Sequence, residues 1–162
     1  MSAVDVGPDY PVLHLGPVSL RAPGIKPRQV EGRSGHLWQW TGDGSPLLTL
    51  LVAVRETRLR TATAAERTLG SEIERVRDGY DPDTAVQVRH VRDVQVEGAV
   101  ASAAATVAGV LDGMAVRNGL VVTTDGPHVH LVRLAVADTD EGKALLGHVL
   151  DDLHVHDWVR PR

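Results

Sequence analysis

The stretch Asp112-Gly-Met-Ala-Val-Arg-Asn-Gly-Leu-Val-Val-Thr-Thr-Asp-Gly-Pro-His-Val-His-Leu-Val-Arg-Leu-Ala-Val136 decides the fold. Asp112-Gly113 and Asp125-Gly126 are hairpin dipeptides, because a two-residue type I′ loop needs positive φ at both of its positions. Between them, Met114 to Thr124 has the length of one strand, and His128 to Val136 supplies the next. The preceding segment, Gly98 to Leu111, is ambiguous on propensity, since its alanines favour helix while Val100, Thr106, Val107 and Val110 favour strand. The turn at its end decides for a strand, and an antiparallel meander of three strands results. Asn118-Gly119 inside the middle strand is a competing turn signal or a bulge.

Upstream, Val18 to Ala22 reads as a strand and Arg28 to Glu31 as a short one, with turns at Pro23-Gly24 and Gly32 to Gly35. His36-Leu-Trp-Gln-Trp-Thr41 and Leu47-Leu-Thr-Leu-Leu-Val-Ala-Val-Arg55 form a hairpin across a Gly/Asp/Ser/Pro turn. The second of these strands is apolar on both faces. Leu48, Leu50, Val52 and Val54 point one way, and Leu47, Leu51 and Ala53 the other, which predicts a sheet covered on both sides. Thr63-Ala-Ala-Glu66 has the form of a capping box, and Ala65, Leu69, Ile73 and Val76 recur at helical spacing. Glu66, Arg67, Glu72, Glu74, Arg75 and Arg77 take the remaining surface, and Asp78-Gly79 followed by Asp81-Pro82 ends a helix over 63–78. Period-two spacing returns from Ala85 to Val96. A second helix opens on acids at Asp138-Thr-Asp-Glu141, which complement its dipole, and buries Ala144, Leu145, Val149, Leu150 and Leu153.

A chain of 162 residues with 43% hydrophobic and 23% charged residues is one ordinary domain. The expected division is an extended lead-in at 1–11, a single domain at 12–153 and a tail at 154–162. Seventeen Lys and Arg against 21 Asp and Glu leave a net charge of −4, which argues against a nucleic-acid partner. With no cysteine, disulfides, thiolate nucleophiles and Cys-held metals are excluded. Phenylalanine is absent, so valine, leucine and alanine must build the core, with Trp and Tyr as large fillers. The N-terminus lacks the basic and apolar regions of a signal peptide, and Gly98 to Leu111 is too short and too rich in small residues to span a bilayer. A cytoplasmic location is the expectation.

The element order is strands, hairpin, helix, meander and closing helix. Together with Val94-Gln-Val-Glu-Gly98, the two Asp-Gly turns, His128-Val-His-Leu-Val-Arg-Leu134 and the run from Asp138 to Leu153, it resembles the PsbP/Mog-like superfamily, and within it the actinobacterial LpqN-type proteins. The resemblance implies an α+β fold, an α/β/α sandwich around a twisted, mainly antiparallel sheet. It further implies binding to proteins or ligands without a shared catalytic apparatus, so no catalytic residue is carried over. The lipobox cysteine of the lipoprotein members is missing here.

Several side-chain groups could still carry chemistry. His36, Trp38 and Trp40 share one strand face, where a Trp pair could line a ligand groove or serve as a partner hot spot, or could simply fill a core that has no Phe. Arg55, Arg58 and Arg60 alternate at a strand end, where they could meet an anion or guard an exposed edge. His128 and His130 lie two apart on a strand, with His154, His156 and Asp157 as further imidazole and carboxylate donors. This is a weak metal-site candidate, because exposed histidines beside a turn explain the same pattern. Asp43, Asp112, Asp125, Asp151 and Asp152 sit in turns or at a helix end, and no nucleophile-elbow, dinucleotide, Walker or zinc-protease motif is present, so neither catalytic residues nor a cofactor are called for. The reading is a non-enzymatic protein-binding, adaptor or chaperone-like domain. Its alternative is a small-ligand-binding protein or weak hydrolase using a cleft near Trp38, Trp40 and the histidines. Because its prolines bar Val12 to Leu20 from a central sheet position, a homodimer through that edge is a further expectation.

Overall fold

A computed structural model describes residues 9–32, 35–42, 46–59 and 61–156. Its elements are β1 (Val12–Leu15), β2 (Val18–Arg21), β3 (Arg28–Gly32), β4 (Gly35–Thr41), β5 (Leu47–Glu56), α1 (Thr61–Gly79), β6 (Gln87–Val91), β7 (Ala101–Leu111), β8 (Met114–Thr124), β9 (His128–Ala137), α2 (Asp140–Asp151) and β10 (His154–Val155). Seven strands form one antiparallel sheet in the order β3-β4-β5-β9-β8-β7-β6, and β1-β2-β10 form a second. The fold is α+β and mostly sheet.

The meander forms as its first turn requires. Leu111 pairs with Met114, and Asp112 and Gly113 between them take φ of 50° and 77°, the left-handed pair of a type I′ turn. Asp81, just beyond α1, clamps this turn: its carboxylate oxygens accept the Asp112 and Gly113 amides at 2.8 and 2.9 Å. The second turn differs from expectation. Pro127 adds a residue, Asp125 does not take positive φ, and the Asp125 side chain accepts the His128 amide at 2.9 Å instead. Asn118-Gly119 makes neither turn nor bulge. Both residues stay in register opposite Val107 and Thr106, Asn118 donates to the Tyr80 hydroxyl at 2.7 Å, and Leu146 and Leu150 of α2 pack where a Cβ on Gly119 would stand.

The large sheet divides the core into two clusters. Ala65, Leu69, Ile73 and Val76 of α1 pack with Ala53, Val107, Leu120, Val122 and Leu131. Leu145, Leu146 and Val149 of α2 pack with Leu50, Val52, Val132 and Leu134, joined by Leu15, Val18 and Leu20 of the small sheet. β5 therefore buries both faces, with one correction. A register shift between Leu47 and Thr49 inserts an extra residue, which moves Leu47 to the α2 side and leaves Leu48 on the α1 side.

Other expectations shift for identifiable reasons. α1 starts at Thr61, so the Thr63/Glu66 box falls inside its first turns. Glu72 is not a surface residue: it is 3% exposed and meets Arg133 from β9 at 3.6 Å and Arg75 at 3.1 Å. The strand expected to run to Val96 stops at Val91, where Asp93 takes φ of 56°. Of the expected edge segment Val12 to Leu20, only β1 lies at a sheet edge. β2 is central, because Pro17 sits in the turn before it, where a missing N–H costs no ladder bond. The tail expected from residue 154 begins as β10, paired with β2. Among the described residues, no helix is long and apolar enough to cross a membrane.

Candidate functional site

Trp38 and Trp40 alternate with Leu37 and Gln39 along β4, and their registers opposite Val52 and Leu50 place both indoles on the α2 side of the sheet. Their roles diverge from there. Trp38 is 7% exposed, with Gly16 so close over its ring that a Cβ would come within 2.5 Å. It is a core filler, and His36 stacks on it at 6.0 Å between ring centres. Trp40, one pleat further along, is half-buried and lines a cleft of about 570 Å³.

Three separate segments build that cleft. Pro23, Gly24 and Ile25 come from the link between β2 and β3, and Pro46 and Leu47 from the start of β5. Glu141, Ala144, Leu145 and His148 come from α2 at i, i+3, i+4 and i+7, which is one stripe along a helix. Tyr10 closes the margin. The register shift that turns Leu47 toward α2 thus also supplies a wall of the cleft. The lining is largely apolar, its polar side chains being Tyr10 at the margin and Glu141 and His148, the last two standing two helical turns apart, about 10 Å along the axis. A concave apolar space of this volume with a few polar groups at its margin is the usual form of a small-molecule site.

The other sequence candidates do not converge on this place. Arg55 is exposed on the opposite, α1-facing side, beside a hollow of about 100 Å³ that Thr68 and Val129 also line. Arg58 is exposed in the link to α1, while Arg60, Asp43 and Asp157 lie outside the described residues. His128 and His130 are on one strand, but His130 is fully buried and His128 beside the turn is half-buried, so the expected pair of exposed histidines is not formed. Thr123 Oγ1 lies 3.0 Å from His130 Nδ1, and Asp125 Oδ2 lies 3.6 Å from Nε2. Burial holds the His130 imidazole below its usual pKa, against the opposing pull of Asp125. A hydroxyl, an imidazole and a carboxylate in a row are the parts of a nucleophilic relay. With Thr123 1% and His130 0% exposed, no substrate reaches them, and the row is a buried polar contact.

Ser19 Oγ lies 2.7 Å from His156 Nε2, and His154 Nδ1 lies 3.0 Å from a Glu97 oxygen, so these tail histidines join the small sheet to its neighbours. Among the described residues, no group of three or more His, Asp or Glu gathers to hold a metal ion.

Sequence reasoning missed the α2 stripe. It took Ala144 as buried, whereas Ala144 is exposed toward the cleft and Leu146 is buried in its place. The available signal was His148 and Glu141 standing at i±7 with Ala144 and Leu145 between them. Compared with known proteins, the chain matches no family model and no curated protein.

Proposed function

We propose that this chain is a non-enzymatic binding protein whose ligand is a small, largely apolar molecule seated beside Trp40. The observation that carries the reading is the cleft itself: about 570 Å³, walled by Trp40, Ile25, Leu47 and Leu145, a concave apolar space with few polar groups at its margin. Its described lining holds a carboxylate and an imidazole but no serine or threonine, so binding is favoured over the weak-hydrolase variant.

The PsbP/Mog-like assignment belongs to the same proposal. What supports it, and the α/β/α sandwich it implies, is the division of the core between α1 on one face and α2 on the other. A protein-binding role rests on a different surface: Val91 and Val100 are 47% and 69% exposed, and Val91 ends the edge strand β6. A homodimer would use the outer edge of β1, where Val12 is exposed.

Titration with the apolar fluorophore 1-anilinonaphthalene-8-sulfonate tests the cleft. Saturable one-to-one binding is expected for the unmodified chain. Ala144→Trp, which fills the cleft from an exposed position, is expected to abolish it without lowering the melting temperature. Binding that persists unchanged in Ala144→Trp and Trp40→Ala overturns the reading.

A further inference from the structure

On the α2 side of the large sheet, beyond the apolar cleft, lies a second cleft of about 570 Å³ with the opposite character. It is lined by Gln87, Val88, Arg89, Thr106, Arg117 and Lys143. The sheet register explains why they meet. Gln87, Ala108 and Arg117 form one cross-strand row, and Arg89, Thr106 and Gly119 form the next row on the same face. Lys143 is added from the first turns of α2.

Three cations, an amide and a hydroxyl therefore face one space with no carboxylate among the lining residues. In a chain of net charge −4 this concentration runs against the overall balance. The counter-charge present is incomplete. Asp138 engages Arg117 through Nε at 2.9 Å, and no described residue takes the two terminal nitrogens of that guanidinium. Asp138 also holds the Arg117 side chain in place, since both are only 23% exposed. Neither Arg89 nor Lys143 has an ion-pair partner among the described residues.

From this arrangement we infer that the β6–β8 cleft binds a small phosphorylated anion. Arg117 and Arg89 act as planar donors to its oxygens, and Lys143 acts as a point charge. Guanidinium forks match phosphate oxygens in pairs, and a fork whose Nε is already fixed by a carboxylate presents its outer edge with little further ordering cost. Solvated basic side chains guarding the β6 edge would be placed to repel a second strand. Here they lie over a sheet face, together with a cation from another element.

Isothermal titration of the whole chain with inorganic pyrophosphate at low ionic strength, alongside orthophosphate and the phosphomonoester glycerol 3-phosphate, is the test. Saturable binding is expected for at least one of the three, and the ranking separates a free phosphate from a phosphate carried on an organic group. Arg89→Gln combined with Lys143→Gln, both away from the core, is expected to weaken that binding about tenfold or more. Ala144→Trp, which blocks the apolar cleft, is expected to leave it unchanged, so the two readings fail separately. Heats that never saturate, or equal affinity in the double variant and the unmodified chain, overturn the inference.

Discussion

His130 makes stability depend on pH in a direction that the structure sets. Its ring is fully buried on β9, with Thr123 against Nδ1, and the facing charges are Asp125, 3.6 Å from Nε2, and His128. Desolvation outweighs the Asp125 attraction, so the folded imidazole titrates below the usual His value of about 6.5, at which the unfolded chain takes up its proton. The sign follows: above about pH 6.5 both states are neutral at this position and it contributes no pH dependence. Below that pH the unfolded state binds a proton that the folded state refuses, so stability falls as pH falls. The loss approaches about 1.4 kcal/mol per pH unit until the folded pKa is reached. Urea midpoints of the unmodified chain and of His130→Gln, measured from pH 7.5 to 5, isolate the effect, because every other group is common to both. The difference between the two proteins is expected to be flat above about pH 6.5 and to shrink steadily below it. A difference that stays constant across the whole range would show that the ring is solvated or that Asp125 compensates, and the burial argument would be wrong.

Four further substitutions probe the packing. Ile73→Ala removes a side chain that is 6% exposed in the α1 cluster and is expected to cost about 2–5 kcal/mol. Glu74→Ala, on the exposed side of the same helix, should stay within about 0.5 kcal/mol, and equal urea midpoints for the two would refute the phase of α1. Tyr80→Phe deletes the hydroxyl that donates to the Val107 carbonyl at 2.8 Å and accepts from Asn118, leaving a buried amide unpaired at about 1–3 kcal/mol. An unchanged thermal midpoint would count against that network. Asp81→Asn halves the acceptor capacity at the β7–β8 turn and is expected to speed amide hydrogen exchange at Asp112 and Gly113, with no change at the β8–β9 turn.

The meander was legible because local chemistry specified it: Asp112-Gly113 folds as the two-residue reversal its dipeptide requires, Asp125-Gly126 still marks a reversal although Pro127 lengthens it, and α1 announced itself through a stripe that no strand could satisfy. The features that escaped depend on partners distant in sequence. β10 is a pair of residues with no strand signal of their own, held by pairing to β2. Glu72 reads as surface on a helical wheel until Arg133 arrives from another element to neutralise it. The facing of Leu47 could not be foreseen, since period-two reasoning assumes an unbroken register and a single inserted residue reverses it. The candidate cleft shares this difficulty. Trp40 was visible as an exposed-or-core ambiguity, but its resolution required the β2–β3 link and α2 to be brought alongside.

Both proposed sites depend on how α2 docks. Leu146 and Leu150 rest over Gly119, and Gly142 approaches the Ala137 carbonyl so closely that a Cβ would overlap it, so the helix can lie low on the sheet. Leu145, Leu146 and Val149 are then consumed by the core, and the residues left over stand on the two flanks of the helix. Glu141 faces the apolar cleft and Lys143 the cationic one. At about 100° per residue these two side chains are separated by about 200° around the axis, nearly opposite one another. A ligand in one cleft therefore touches no residue of the other, although both are walled by the same twelve-residue helix. Coupling between them could travel only through movement of that helix, and its seating on Gly119 and Gly142 opposes such movement. It follows that occupancy of the apolar cleft and occupancy of the anion cleft should be energetically independent, each adding its own increment to stability.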